Sequence, residues 1–101
     1  MIEIRKTNIF SSWINKLKDL AGRAKIQIRI ERLAQGNPGD SKSAGDGILE
    51  LRITYGPGYR VYYTKKGNEF ILLLAGGDKG YQSRDIKKAK QLAEELREQN
   101  E

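Results

Sequence analysis

Tyr55-Gly56-Pro57-Gly58-Tyr59-Arg60-Val61-Tyr62 follows the alternating run Ile48-Leu49-Glu50-Leu51-Arg52-Ile53-Thr54, and Gly76-Gly77-Asp78-Lys79 comes one strand later. Gly-Pro-Gly is a sharp turn signal, so the stretch reads as a β-hairpin. Side chains alternate faces along a strand, which lets Arg52 and Arg60 each lie on the polar side with apolar residues opposite. Two arginines on one sheet surface make a candidate anion site.

Working outward, Glu69–Ala75 reads as a third strand after the short connection Lys65-Lys66-Gly67-Asn68. Its centre, Phe70-Ile71-Leu72-Leu73-Leu74, is apolar on both faces and predicts an interior strand. Gly76-Gly77-Asp78-Lys79-Gly80 is expected to break it, and successive N–H groups there suit an anion-binding nest. A final helix starts at Ser83 or Asp85 and buries Ile86, Ala89, Leu92, Ala93 and Leu96. Upstream, Ile2 and Ile4 mark a short strand. Thr7 or Asn8 caps a helix carrying Phe10, Trp13, Ile14 and Leu17, with Trp13 and later Tyr59 as core residues.

Gly22 predicts a break near Leu20. Arg23–Gln35 alternates like a strand at Ile26, Ile28 and Ile30, yet it lacks an internal breaker and stops at Gly36, so it reads as helix. Gly36 to Gly47 reads as a polar loop. The order is βααβββα, an α+β domain spanning residues 1–101.

Composition narrows the chemistry. The chain holds 19 basic and 13 acidic residues, a formal charge of +6, which favours a polyanionic partner. Residues 1–30 carry seven basic and two acidic side chains, so the surplus lies on the early helices and the sheet. There is no cysteine and no histidine, which excludes disulfides, thiolate catalysis, an ordinary Ser-His-Asp triad and the commonest metal ligand. Neither a signal-peptide core nor an apolar run of about 20 residues is present, which predicts a cytoplasmic protein without a membrane or cofactor. Arg52 and Arg60 also have a plain alternative, pairing with carboxylates such as Glu50 or Asp78.

Taken together, Ile30-Glu31-Arg32-Leu33, Gly36-Asn37, Glu50-Leu51-Arg52-Ile53, Gly56-Pro57-Gly58-Tyr59-Arg60-Val61-Tyr62-Tyr63 and Leu73 to Lys79, with Gln82, Asp85-Ile86 and Ala89, resemble the RelE/ParE toxin superfamily. Within it they resemble the HigB-like addiction module killer proteins, over almost the whole chain. The resemblance implies two N-terminal helices packed on a twisted, mainly antiparallel sheet, with a C-terminal helix. It implies a type II toxin held inactive by a cognate antitoxin, often a helix-turn-helix protein. It further implies metal-independent cleavage of mRNA on the ribosome, or, in ParE-like members, inhibition of DNA gyrase; a non-catalytic antitoxin-binding module is the third reading. Arg60, Arg52, Lys79 and Tyr81 are the expected catalytic residues, and Tyr62, Gln82, Lys65 and Lys66 the expected RNA-binding residues. The family's C-terminal tyrosine or histidine falls near Asp85, so Tyr81, Tyr62, Asp78 and Lys79 are the candidates for proton transfer.

Overall fold

In a computed structural model, residues 1–99 are described. They form β1 (Glu3–Lys6), α1 (Asn8–Lys16), α2 (Leu20–Ala34), β2 (Ser41–Gly45), β3 (Ile48–Ile53), β4 (Tyr59–Lys66), β5 (Phe70–Asp78), a 3₁₀ turn (Lys79–Tyr81) and α3 (Gln82–Gln99). The five strands make one mixed sheet in the order β1-β5-β4-β3-β2. Only β1 pairs in parallel, with β5. The architecture is α+β, and among the described residues no helix is long and apolar enough to cross a membrane.

The sheet separates two cores. On one face Phe10 and Ile14 of α1 and Ile26, Ile30 and Leu33 of α2 pack against Leu51, Ile53, Tyr59, Val61, Tyr63, Ile71 and Leu73. On the other, α3 lays Ala89, with Ile86 and Leu92 beside it, over Ile48, Tyr62 and Leu74. β5 serves both cores, as its two-sided apolar run predicts.

Local chemistry sets the helix ends. Thr7 Oγ1 accepts from Phe10 N at 3.0 Å as the cap of α1 and donates to Leu74 O at 2.7 Å, tying that cap to β5. Asp19 caps α2 by accepting from Gly22 N at 3.0 Å and also accepts from the Tyr59 hydroxyl at 2.7 Å. The cap and the Tyr59 bond hold its carboxyl below its usual pKa. Burial first, and then Asp19, push the Tyr59 phenol up to about 12. Gly22 therefore lies inside α2 and does not break it. A Cβ there would meet Asp19 Oδ2 at 2.6 Å and Tyr59 Cε2 at 2.7 Å, so the glycine serves close approach. The break falls at Leu17–Asp19. At the far end, Asn37 N donates to Arg32 O at 2.9 Å and Gly36 N to Leu33 O at 3.0 Å, a Schellman stop with Gly36 at φ +89°.

Two further expectations are corrected. The polar loop after Gly36 contains β2, an edge strand antiparallel to β3, so the order is βααββββα. Ser-Lys-Ser-Ala-Gly has no strand propensity of its own; tertiary interactions hold it there. Arg29 donates to Pro38 O and Asp40 O at 3.0 and 3.2 Å, and the Ser41 and Tyr63 hydroxyls meet at 2.7 Å. Nor does Gly76-Gly77 end the third strand of the hairpin series, for β5 continues through both to Asp78. A register shift opposite Tyr62/Tyr63 leaves Leu74 as an extra residue in β5. Beyond it Gly76 pairs with Val61 on the α1 face and Gly77 with Arg60 on the α3 face. A Cβ on Gly76 would lie 2.2 Å from Trp13 Cε3, and one on Gly77 would lie 2.1 Å from Asp85 Oδ2.

Gly76→Ala should therefore destabilise the protein by about 1–3 kcal/mol, the usual effect of overpacking. In urea denaturation, Trp13→Leu in the same chain should recover part of that loss, since a smaller ring-free side chain vacates the clash. Strict additivity of the two substitutions would contradict this packing.

Candidate functional site

The site lies at the end of the sheet where β3 and β5 finish and β4 begins. Arg52 and Arg60 are Cα partners on neighbouring strands and share a face, as the hairpin register requires. That face is not an open polar surface, because α3 covers it. Arg60 keeps only 11% side-chain exposure, and its Nε lies 3.4 Å from Glu50 Oε1 without hydrogen-bond geometry. Its Nη1 donates to Tyr59 O at 3.1 Å. Arg52 turns to Asp40 instead, donating through Nε and Nη2 to Oδ1 at 3.1 and 3.0 Å. The pairing of both arginines with carboxylates is thus realised, Glu50 taking one and Asp40 the other. Asp40 and Asp46, read as residues of an unstructured loop, each hold an ion pair, Asp46 with Lys90 at 3.3 Å.

Lys79 and Arg60 do converge. Lys79 N donates to Gly58 O at 2.9 Å, which brings the end of β5 beside the turn before β4. A Cβ on Gly58 would lie 3.2 Å from Lys79 Cδ and 3.6 Å from Arg60 Nη1. Gly58, at φ +83°, thus gives room for the Lys79 stem to lie against the backbone beside the Arg60 guanidinium. Beside them Lys79, Gly80, Tyr81, Gln82 and Arg84 line an open pocket of 360 Å³. Tyr81 is half-exposed, and the Arg84 guanidinium sits 4.2 Å from its ring centroid.

The remaining expected residues fall elsewhere. Tyr62 is fully buried beneath α3 and offers no stacking surface. Its phenol is pushed above its usual pKa by burial and by Glu50 and Asp85. Lys65 and Lys66 end β4, about 17–20 Å from Arg60 at ~3.3 Å per residue, and Lys66 faces Glu69 at 3.8 Å. Gln82 does reach the site, but its Nε2 donates to Glu50 Oε1 at 2.5 Å. The expected nest is filled, since Gly80 N donates to Asp78 Oδ1 at 2.9 Å and Lys79 N is taken by Gly58. Asp78 therefore acts as a cap.

Two residues of the site carry roles that the sequence pattern hides. Glu50, fully buried, links Arg60 of β4 to Gln82 of α3. Alternation marks Glu50 as solvent-facing, and only the helix over that face makes it internal. Arg84, which no motif in the sequence marks, lines the pocket with Lys79 and Tyr81, whereas Arg52 does not. Glu50 Oε2, Arg60 Nε, Tyr62 Oη and Asp85 Oδ2 are buried and without a hydrogen-bond partner among the described residues. Burial raises the Asp85 pKa, opposed by the hydrogen bond from Arg84 at 3.3 Å.

An uncharacterized protein of Haemophilus influenzae is 55% identical to the chain over 95 residues, covering 94% of this chain and 96% of the relative. The chain belongs to the same family as that protein. No family model matches it.

The Asp85 shift sets a direction for stability against pH. Between the ordinary value of 3.8 and the raised folded value, the native state holds more protons than the unfolded one, so unfolding free energy falls as pH rises through that window. Asp85→Asn should remove this loss. Chemical denaturation across acid to neutral pH should show the variant gaining on the parent as pH rises, with the difference flat above the window. An unchanged difference at every pH would place Asp85 in solvent.

Proposed function

We propose that the chain is the toxin of a type II toxin–antitoxin pair, a RelE-like, metal-independent endoribonuclease that cuts mRNA on the ribosome. The observation that carries this reading is the meeting of Lys79 and Arg60 over Gly58, beside the open pocket that Tyr81 and Arg84 line. A phosphodiester needs such an arrangement, cations gathered around its non-bridging oxygens. The sheet with two helices on one face and a C-terminal helix on the other accords with the RelE-like fold.

In the proposed reaction the ribose 2′-oxygen attacks the adjacent phosphorus. The 2′-O–P bond forms and the P–O5′ bond breaks, leaving a cyclic phosphate. The 2′-hydroxyl proton is released and the departing 5′-oxygen takes one up. Lys79 and Arg84 stand at the mouth to stabilise the pentavalent phosphate, with Arg60 behind them oriented by Glu50. Tyr81 and Lys79 are the titratable groups facing the pocket, and they are assigned the proton transfers. Tyr62 is buried and Asp78 is engaged as a cap, so neither serves. Arg52, paired with Asp40, supports the strand and not the phosphate. The partner in the cell is a cognate antitoxin, of the helix-turn-helix kind, that masks these cations in the cytoplasm.

Induced expression should arrest growth and produce discrete cuts in translated mRNA, mapped by primer extension. Lys79→Ala or Arg60→Ala should each lower cleavage on the order of 10²–10³-fold, the usual effect of losing one charge-stabilising group. Arg52→Ala should leave it within a fewfold. Growth arrest with intact mRNA and inhibited supercoiling would replace this reading with gyrase inhibition, and harmless expression with an antitoxin-binding module.

A further inference from the structure

A second cationic cleft lies on the other side of the Tyr55–Gly58 turn. Lys25, Arg29 and Arg32 of α2, spaced along one helix face, line it together with Ile28, Thr54 and Tyr55, around a volume of 320 Å³. Among the described residues no acidic side chain lines it. Among the described residues Lys25, Arg29 and Arg32 have no carboxylate partner, which they share with Lys79, Lys87, Lys88 and other cations; what sets the three apart is that they line one cleft beside an aromatic ring. Arg29 is satisfied by carbonyls, donating to Arg52 O at 2.5 Å as well as to Pro38 O and Asp40 O, so its charge is held in place without being neutralised. Lys25 Nζ stands 5.0 Å from the centroid of the Tyr55 ring, and Ile28 is 46% exposed at the cleft. The turn then leads directly to the first site, because Gly58 N donates to Tyr55 O at 3.0 Å while Gly58 adjoins Lys79 and Arg60.

We infer that this cleft is a binding site for single-stranded RNA, which lays phosphates on Lys25 and Arg32, stacks a base at Tyr55 and Ile28, and continues over the turn to Lys79. Uncompensated cations beside an aromatic ring are the combination that holds single strands without sequence preference. An acidic peptide would use the cations but would leave the ring and the continuity with the second cation pair unexplained. The inference shares with the proposed function the class of ligand and the cations Lys79 and Arg60 at the far side of the turn, yet the cleft binds whether or not the strand is cut.

The test is fluorescence anisotropy of a labelled oligouridylate with the full chain over a salt titration. Lys25→Ala/Arg32→Ala should lower the slope of log affinity against log salt by about 1.4, from roughly 0.7 for each phosphate that a single strand no longer has neutralised. At about 0.1 M salt that slope corresponds to about 25-fold weaker binding relative to the parent. Tyr55→Leu, which keeps apolar packing, should weaken binding about 5- to 100-fold with the slope unchanged. Lys87→Ala/Lys88→Ala, on exposed positions of α3, removes the same charge and should leave affinity within twofold or so. Each variant is checked by thermal melting, and conservative Lys25→Arg/Arg32→Lys, which keeps the charge, should restore the slope wherever the alanine pair melts early. Equal losses for the two alanine pairs, an unchanged slope for the first, or binding of a labelled polyglutamate with no binding of the oligouridylate would each overturn the inference. Cleft-dependent RNA binding without cut mRNA would leave it standing and remove the ribonuclease reading alone.

Discussion

Two adjacent glycines in an interior strand are the constraint on which the rest of the structure depends. Neighbouring residues in a strand face opposite ways, so Gly76 and Gly77 bare the backbone of β5 on both sides at once. Trp13 presses onto one from α1 and Asp85 onto the other from α3. The extra residue at Leu74 sets which glycine faces which helix. In a regular strand Gly76 would fall on the same face as Leu72 and Leu74, under α3, and Trp13 would meet a side chain. One bulge therefore seats both helices, and by seating α3 it places the turn that carries Lys79 to Arg84.

Beneath the start of α3 lies a polar layer that does not resemble a stability device. Glu50, Arg60, Tyr62 and Asp85 carry four buried polar atoms without a hydrogen bond among the described residues, and Arg60 Nε has only the 3.4 Å approach of Glu50 Oε1. Burial of an ion pair is itself weak support for a fold. The attachment of α3 comes from Ala89, Ile86, Leu92 and Leu96 on the sheet. What the polar layer adds is position: Gln82 bonded to Glu50 and Asp85 seated on Gly77 fix where the helix begins. Arg60 is thereby held with one end in the layer and Nη1 toward Gly58 and Lys79.

Most of the architecture was legible from periodicity and turn chemistry, because α1, α3 and the β3–β4–β5 meander each have a local cause. The misses share one character. Gly22, Gly76 and Gly77 look like punctuation in a one-dimensional pattern, yet each marks a place where a side chain from elsewhere touches backbone. Strand β2 was hidden because it is set by Arg29, which holds the segment leading into it, and by pairing with β3, not by its residues' own preference. The site was half legible. Lys79 comes beside Arg60 and shares a pocket with Tyr81 and Gln82, but Gln82 is bonded to Glu50, and Tyr62 lies on a face that alternation makes polar and α3 turns into core. Alternation tells which residues share a face of a sheet, but not whether a helix lies on it.

Arg52 and Arg60 show why a count of cations does not locate a polyanion site. They occupy paired positions and look equivalent in sequence, but Asp40 neutralises Arg52 at the rim while Glu50 holds Arg60 from beneath. A charge held from beneath still acts outward, since its partner lies away from the ligand. A charge paired at the rim is screened on the side where the ligand would come. The same reasoning separates Lys66, facing Glu69 in solvent, from Lys25 and Arg32, which face no carboxylate among the described residues. Where an anion is drawn therefore depends on the geometry of compensation and not on the net +6 alone. In the proposed reading a phosphate chain follows the cations on both sides of the Tyr55–Gly58 turn. It does so because a pocket and an aromatic ring lie beside them there, and not because they alone lack carboxylate partners.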